Sequence, residues 1–138
     1  MKRLFTIDMK DYNPEWPHST RPSARGIIEL NGKLALIHNE KYDYYMFPGG
    51  GIEEGESHEE ALIREVKEEA GLTVIPESIR AYGSALRLSR SRRFENTIFE
   101  QENFYYTCQV QDKIEAQQLD SYETEEGYSL VLVSLEEA

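Results

Sequence analysis

The sequence predicts a single α+β domain, and three observations support that class. The chain has 138 residues, enough for one ordinary domain and too few for two. Residues 58–70 have the apolar periodicity of one amphipathic helix, and six or seven other segments are rich in β-branched and aromatic residues. We therefore expect one domain over residues 1–138, in which residues 1–23 form an N-terminal strand and arm.

The next elements in the chain are a hairpin, a short strand and a loop. Residues 25–30 and 33–38 are separated by Asn31-Gly32, the pair that favours a two-residue type I′ turn because both turn positions need a positive φ. Residues 44–47 have the composition of a short aromatic strand that ends before a proline. Three consecutive glycines follow at residues 49–51, and they predict a loop able to pass close to a ligand.

The helix has sequence signals at both ends. Ser57 and Glu60 have the spacing of a capping box at the start, and Gly71 stands where a helix ends on a left-handed residue. Beyond it, residues 79–88, 97–110 and 128–133 have strand composition. Residues 134–138 have the composition of the first turn of another helix.

Charge and cysteine content exclude several classes of protein. The net charge of −11 argues against binding to duplex nucleic acid or to an anionic membrane. A lone cysteine, Cys108, cannot form an internal disulfide and fits a reducing cytoplasm. Charges interrupt the N-terminal residues too often for a signal peptide, and no segment has the roughly 18 apolar residues of a membrane span. We expect a cytoplasmic protein without membrane contact.

Three glutamates lie beside the apolar stripe of the helix. Glu65, Glu68 and Glu69 have i, i+3 and i+4 spacing, so their carboxylates repel one another on adjacent turns unless a cation neutralises them. An all-carboxylate cluster suits Mg²⁺, which takes oxygen ligands and bridges carboxylates to phosphates. The alternative, read from the helix alone, is a solvated acidic face.

The spacing around these glutamates resembles the signature of the Nudix hydrolase family. Residues 50–72 contain Gly50, Glu56 after five residues, and Arg64-Glu65 after seven more, followed by Glu68-Glu69 and Gly71, matching the signature at every specified position. The resemblance implies a Nudix α/β/α sandwich with a mixed sheet, whose C-terminal helix is shortened or absent here. It implies that Glu65, Glu68 and Glu69 bind metal, whereas Gly50, Glu56, Arg64 and Gly71 hold the motif together.

The implied reaction is hydrolysis of a nucleoside diphosphate linked to another moiety, such as a nucleoside triphosphate or a nucleotide sugar. Mg²⁺, or Mn²⁺ in its place, would neutralise the diphosphate and activate water. Glu68 and Glu69 would take part in catalysis. The general base would be Glu69 or a glutamate from a later loop. Glu123, Glu125 and Glu126 are the candidates in that loop, and of these we select Glu126. The alternative is a Nudix-like module that binds a nucleotide without turnover.

Two further expectations concern substrate contacts and assembly. The only concentrated positive charge in the sequence consists of Arg87, Arg90, Arg92 and Arg93, which could hold the distal phosphate or sugar of a small nucleotide substrate, or else form a solvated hairpin tip. Phe47 could stack on a base. A shortened C-terminal helix would leave one sheet face to be covered by the N-terminal arm or by a second copy, so the sequence leaves a homodimer open.

Overall fold

A computed structural model describes residues 1–134 and residue 136. The elements in chain order are β1 Arg3–Asp8, β2 His18–Thr20, β3 Ser23–Leu30, β4 Lys33–Asn39, β5 Tyr44–Met46, β6 Gly49–Gly51, α1 His58–Ala70, β7 Leu72–Val74, a 3₁₀ turn Pro76–Ser78, β8 Arg80–Arg90, β9 Ile98–Cys108, β10 Val110–Ile114, α2 Ser121–Glu126 and β11 Tyr128–Val133. Neither α1 nor α2 is long and apolar enough to cross a membrane, and the same holds for any helix in the described residues.

The larger sheet contains both parallel and antiparallel pairs. Its main order is β1-β8-β9-β3-β4-β11, with β2 beside β9, β5 beside β4 and β6 beside β3, while β7 and β10 form a separate pair. Strand β3 runs parallel to β9 and antiparallel to β4. The expected mixed sheet and α+β class are therefore confirmed.

The predicted hairpin is present between β3 and β4. Asn31 has φ 53° and Gly32 has φ 76°, so both turn residues adopt the left-handed conformation that a type I′ turn requires. Leu30 and Lys33 are register partners across the turn. Because the turn fixes this register, β3 turns its buried residues toward the core along its length.

Helix α1 begins and ends as the sequence predicts. The Ser57 hydroxyl accepts a hydrogen bond from the Glu60 N–H, and the Glu60 carboxylate accepts one from the Ser57 N–H, each at 3.0 Å. Gly71 ends the helix in the left-handed conformation with φ 71°. Leu62 and Val66 are fully buried against the sheet, which fixes the rotation of the helix and hence the direction of its glutamates.

The structure differs from the sequence predictions at three places. Residues 49–51 form strand β6 instead of a loop, because their backbone pairs with Ser23–Arg25 of β3. The predicted strand over residues 97–110 divides into β9 and β10, and β10 leaves the large sheet to pair with β7. Helix α2 was not predicted. Each difference depends on a partner that is distant in sequence or on a cap that the apolar pattern does not reveal.

The N-terminal residues extend the sheet. Strand β1 pairs in parallel with β8 at one edge, and β2 pairs in parallel with β9. The expected turn at residues 134–138 and the shortened C-terminal helix lie outside the described residues, apart from Ser134 and Glu136.

Two glycines with the same backbone conformation test how tightly the end of α1 is packed. A Cβ at Gly71 would overlap the carbonyl oxygen of Glu115, whereas nothing lies within 4 Å of a Cβ at Gly32. Gly32→Ala should cost roughly 1–2 kcal/mol for the left-handed conformation alone, and Gly71→Ala at least about 1 kcal/mol more for the overlap. Urea unfolding of both variants measures the difference. Equal costs would show that the Glu115 segment moves aside freely.

Candidate active site

The three helix glutamates line a cavity of about 320 Å³. One wall is α1 with Glu65, Glu68 and Glu69, and a second is the glycine strand β6. The remaining walls come from the start of β3, from β9 and from the segment that includes α2. The cavity is therefore assembled from residues as far apart in the chain as Arg21 and Tyr128, and only the helix and the glycines form a local motif.

Arg64 connects the loop before the helix to the helix itself. Its Nε lies 2.7 Å from Glu56 Oε2, and its Nη2 lies 2.9 Å from Glu56 Oε1 and 3.0 Å from the Gly51 carbonyl oxygen. Its Nη1 also donates to Glu65 at 2.8 Å and to Glu68 at 3.3 Å. The hydrogen bonds from Arg64 lower the pKa of Glu56 to about 2, so this carboxylate stays ionised over the physiological range.

Glu69 is the most buried carboxyl in the cavity. Its side chain is only 3% exposed, and Oε1 accepts a hydrogen bond from the Gly49 N–H at 3.2 Å. The pKa of Glu69 is raised to about 8, chiefly by burial and in smaller part by Glu123 and Glu65, although the positive charge of Arg25 and the Gly49 hydrogen bond act in the opposite direction. Burial likewise raises the pKa of Glu65, against the hydrogen bond from Arg64.

Two arginines that the sequence analysis did not identify also line the cavity. Arg25 on β3 donates to the Phe47 carbonyl oxygen at 2.8 Å and to Asn103 at 3.3 Å, which holds its guanidinium beside the glutamates. Arg21 lies over β6, where a Cβ at Gly51 would be 2.6 Å from its Nη2. Within the described chain, neither arginine forms an ion pair with a carboxylate, so both are available to a bound anion.

The later glutamates are placed differently from expectation. Glu123 of α2 lines the cavity, and its pKa is raised chiefly by burial, while the hydrogen bond from the Asp120 N–H lowers it. Glu126 does not line the cavity, because its Oε1 accepts a hydrogen bond from the Asn39 amide at 2.7 Å. Of the three later glutamates, Glu123 is therefore the one that lines the cavity. The capping box formed by Asp120 and Glu123 is the sequence signal that would have placed this helix.

The expected substrate contacts lie outside the glutamate cavity. Arg90, Arg92 and Arg93 line a different cavity at the tip of the β8–β9 hairpin, and Arg87 lines neither. Phe47 does not line the glutamate cavity, since its ring packs edge-on against Tyr105 at a centroid distance of 5.8 Å. Phe99 is the aromatic side chain that β9 contributes to the wall, and no local pattern in the sequence indicates this role.

The donors fit a hard divalent cation, although they are not gathered around one point. Among residues 1–134 and 136, no three carboxylate, imidazole or thiolate groups are already arranged as a metal cluster. Arg64 holds Glu65 and Glu68 by their oxygens, and Glu69 is turned toward Gly49. All three nevertheless present oxygen donors to the same cavity, and the buried Glu69 has one N–H donor for its charge. A divalent cation would supply the missing compensation.

The buried Glu69 carboxyl should make stability fall as pH rises. Its pKa is about 8 in the folded chain against 4.5 for an ordinary glutamate carboxyl, so it lowers stability progressively from about pH 4.5 to pH 8. In chelator, Glu69→Gln should therefore gain about 2–4 kcal/mol of unfolding free energy relative to wild type between pH 5 and pH 8.5. Urea unfolding at both pH values measures this difference.

Glu59 provides the control for that experiment, because it lies exposed on the same helix. Glu59→Gln should keep a constant stability difference from wild type at both pH values. If Glu69→Gln also keeps a constant difference, the Glu69 carboxyl is ionised throughout and its environment is more polar than the contacts indicate.

Comparison with known proteins identifies the fold independently. A family model described as NUDIX domain matches residues 20–138. A MutT protein from Bacillus halodurans has a TM-score of 0.62 at 24% identity, covering 85% of this chain and 70% of that one. A Nudix hydrolase from Nitrosomonas europaea has a TM-score of 0.59 at 23% identity, with 86% and 75% coverage. At these identities the structural likeness establishes the fold alone.

Sequence relatives match over shorter regions. An ADP-ribose pyrophosphatase from Methanocaldococcus jannaschii is 46% identical over 50 residues, 34% of this chain and 30% of that protein. An RNA pyrophosphohydrolase from Hahella chejuensis is 46% identical over 61 residues, 43% of this chain and 36% of that protein. The matched region thus spans about a third of each curated relative. Because the family model covers most of the chain and the fold agrees with it, the chain belongs to the Nudix family.

Proposed function

We propose that this chain is a Mg²⁺-dependent hydrolase that cleaves the diphosphate bridge of a nucleoside diphosphate linked to another moiety. The observation that carries the proposal is the cavity itself, in which three glutamates of α1 face the glycine strand β6 beside two arginines without ion-pair partners among the described residues. Carboxylates suit a divalent cation, and arginines suit phosphate oxygens. One cavity thus offers complementary groups for both the metal and a diphosphate.

Each wall has a proposed role. Glu65, Glu68 and Glu69 would hold the cation, which when bound supplies neutralisation of the phosphate oxygens and a lowered pKa for attacking water. Arg25 and Arg21 would orient the diphosphate, since each guanidinium can donate two parallel hydrogen bonds to phosphate. The glycines of β6 leave room for the side chains that line the cavity, because a Cβ at Gly50 would lie 2.5 Å from Glu65 Oε2 and one at Gly51 would lie 2.6 Å from Arg21 Nη2.

Glu123 is our candidate for the general base. It lies in the cavity beside Glu69, whose pKa its charge raises, and it belongs to a six-residue helix anchored by its own capping box. A carboxylate in this position can accept a proton from water beside the phosphate. Glu69 remains an alternative base, because it is also within the cavity.

The substrate class rests on the relatives. The names of two of them, ADP-ribose pyrophosphatase and RNA pyrophosphohydrolase, both specify cleavage of a pyrophosphate bond in a molecule with a nucleotide part. We therefore propose a nucleoside triphosphate or a nucleotide sugar as the small-molecule substrate. Mn²⁺ would serve in place of Mg²⁺, because both are hard cations with oxygen ligands.

A panel of nucleoside triphosphates and nucleotide sugars tests the proposal. Phosphate or nucleotide release should require Mg²⁺ or Mn²⁺ and should stop on addition of a chelator. Glu68→Gln should lower kcat by roughly 10²-fold or more, whereas Glu59→Gln on the exposed side of the same helix should be near wild type. Nucleotide binding without release from any substrate on the panel would favour a non-catalytic module.

The choice of base is tested by two glutamates of the same short helix. Glu123→Gln should lower kcat by roughly 10²–10⁴-fold and flatten the acidic limb of the pH–rate profile, because the base is removed. Glu126→Gln should leave kcat within about threefold, since Glu126 contacts Asn39 outside the cavity. The reverse order of effects would restore Glu126 as the base.

Two expectations about context remain proposals. The one cysteine, Cys108, is buried and unpaired, which fits a reducing cytoplasm as the place where this protein acts. A homodimer would use the edge of the sheet, where β1 exposes Phe5 and Ile7 to about half of their full extent. Such an edge offers unpaired backbone groups and apolar side chains to a second copy.

A further inference from the structure

The tip of the β8–β9 hairpin and the N-terminal arm together enclose a second cavity, of about 440 Å³. Arg90, Arg92 and Arg93 line it, together with Asp11 from the arm. These are three of the four arginines of the basic cluster in the sequence, and they lie apart from the glutamates. Its arginines have no part in the proposed hydrolysis, which therefore leaves their function unexplained.

The backbone of this cavity is held by specific hydrogen bonds. Asp11 Oδ1 accepts a hydrogen bond from the Arg90 N–H at 2.7 Å, which fastens the arm to the end of β8. The Ser91 hydroxyl accepts hydrogen bonds from the N–H groups of Arg93 and Phe94, at 3.2 and 3.1 Å. The tip is therefore an ordered turn, and hydrogen bonds hold the backbone of its arginines in place before any ligand binds.

Aromatic rings orient two of the guanidinium groups. The Arg90 guanidinium lies 5.9 Å from the centre of the Trp16 ring, and that of Arg93 lies 5.0 Å from the centre of the Phe94 ring. A guanidinium stacked on a ring keeps its N–H donors pointing outward along its edge. Because these contacts restrict the two guanidinium groups before binding, less rotamer entropy is lost when an anion binds.

The charges in this cavity are not neutralised by the surrounding chain. In the part of the chain that the structure describes, none of its three arginines forms an ion pair with a carboxylate. Two carboxylates are nearby: Asp11 uses one oxygen to cap the Arg90 N–H, and Glu95 lies exposed at the rim. In a protein of net charge −11, three arginines without carboxylate partners make this cavity the outstanding basic site.

Strand geometry separates the two cavities. Arg90 and Ile98 are register partners across the antiparallel β8–β9 pair, so their side chains lie on the same face of the sheet. Phe99, the next residue, lines the glutamate cavity. Since successive side chains in a strand point to opposite faces, Arg90 faces away from the glutamate cavity.

The arm that completes this cavity lies outside the region matched by the family model. That match begins at residue 20, whereas Asp11 and Trp16 both precede it. The family fold alone therefore does not form the cavity. It exists because this chain places its own arm against the tip of the hairpin.

We propose that Arg90, Arg92 and Arg93, with the N-terminal arm, form a second anion-binding site for a multiply phosphorylated ligand, separate from the hydrolytic cavity. Three guanidiniums around an open cavity of this volume match clustered phosphate groups, because each can donate two parallel hydrogen bonds to one phosphate. The phosphates belong either to an independent effector or to a distal part of the substrate. The separation of the faces favours the effector.

Tripolyphosphate provides a probe that requires no catalysis. Calorimetric titration of the full chain in excess chelator should give one binding site, because without a divalent cation the glutamates repel this polyanion. Arg92→Ala/Arg93→Ala should weaken binding by roughly tenfold or more. A control with the same change in net charge is Lys33→Ala/Lys113→Ala, both exposed lysines, and it should change affinity by less than about twofold at physiological salt.

The outcomes separate this proposal from its alternatives. Absence of binding to wild type, or equal weakening in both double variants, would overturn it, because the positive charge would then act only through net charge. On whichever nucleotide substrate turns over, the arginine variant should keep the wild-type KM. A KM raised by fivefold or more would overturn the separation, because the arginines would then hold the substrate itself. The titration is informative even if no substrate is found.

Discussion

The active-site geometry depends on the contacts of Arg64. One guanidinium binds both oxygens of Glu56, the carbonyl of Gly51 and the carboxylates of Glu65 and Glu68, so it joins the loop, the glycine strand and the helix in one network. A lysine could not replace it, because a single ammonium lacks the planar set of donors. The same contacts reduce repulsion between the helix carboxylates while no cation is bound. Arg64 thus makes an acidic helix face compatible with a folded chain.

Unlike the carboxylates that Arg64 contacts, the carboxyl of Glu69 is buried with little to compensate its charge. Its carboxyl is fixed by the helix against Gly49, and the environment that holds it there also raises its pKa. A group of this kind lowers stability at neutral pH, and proteins retain such groups chiefly where a bound ligand compensates the cost. Arg25 and Arg21 likewise bring charge to the cavity that has no direct partner, since neither forms an ion pair with a carboxylate. The site is therefore prepared for a cation and an anion together.

The sequence correctly predicted those parts of the fold that depend on residues close to one another in the chain. The turn at Asn31-Gly32 and the two ends of α1 each depend on residues within a few positions of one another, and the structure agrees with them. Strand β6 could not be predicted from three glycines, because it exists only through pairing with β3. Likewise, the choice between Glu123 and Glu126 depends on the rotation of a short helix. The motif supplied three glutamates, whereas the surrounding arginines come from strands that only the tertiary fold brings close.

The arrangement also bears on how so acidic a chain could bind the phosphate ligands that we propose for it. Long-range charge at −11 repels any polyanion, and screening reduces that repulsion over about 8 Å at physiological ionic strength. At shorter range the decisive factor is which guanidiniums lack a carboxylate partner. In the described chain five such groups line a cavity, Arg21 and Arg25 the glutamate cavity and Arg90, Arg92 and Arg93 the cavity at the tip of β8–β9. If these arginines formed surface ion pairs instead, the pairs would add little to the stability of the protein. By leaving these few unpaired, the chain keeps positive charge where phosphate groups can contact it directly.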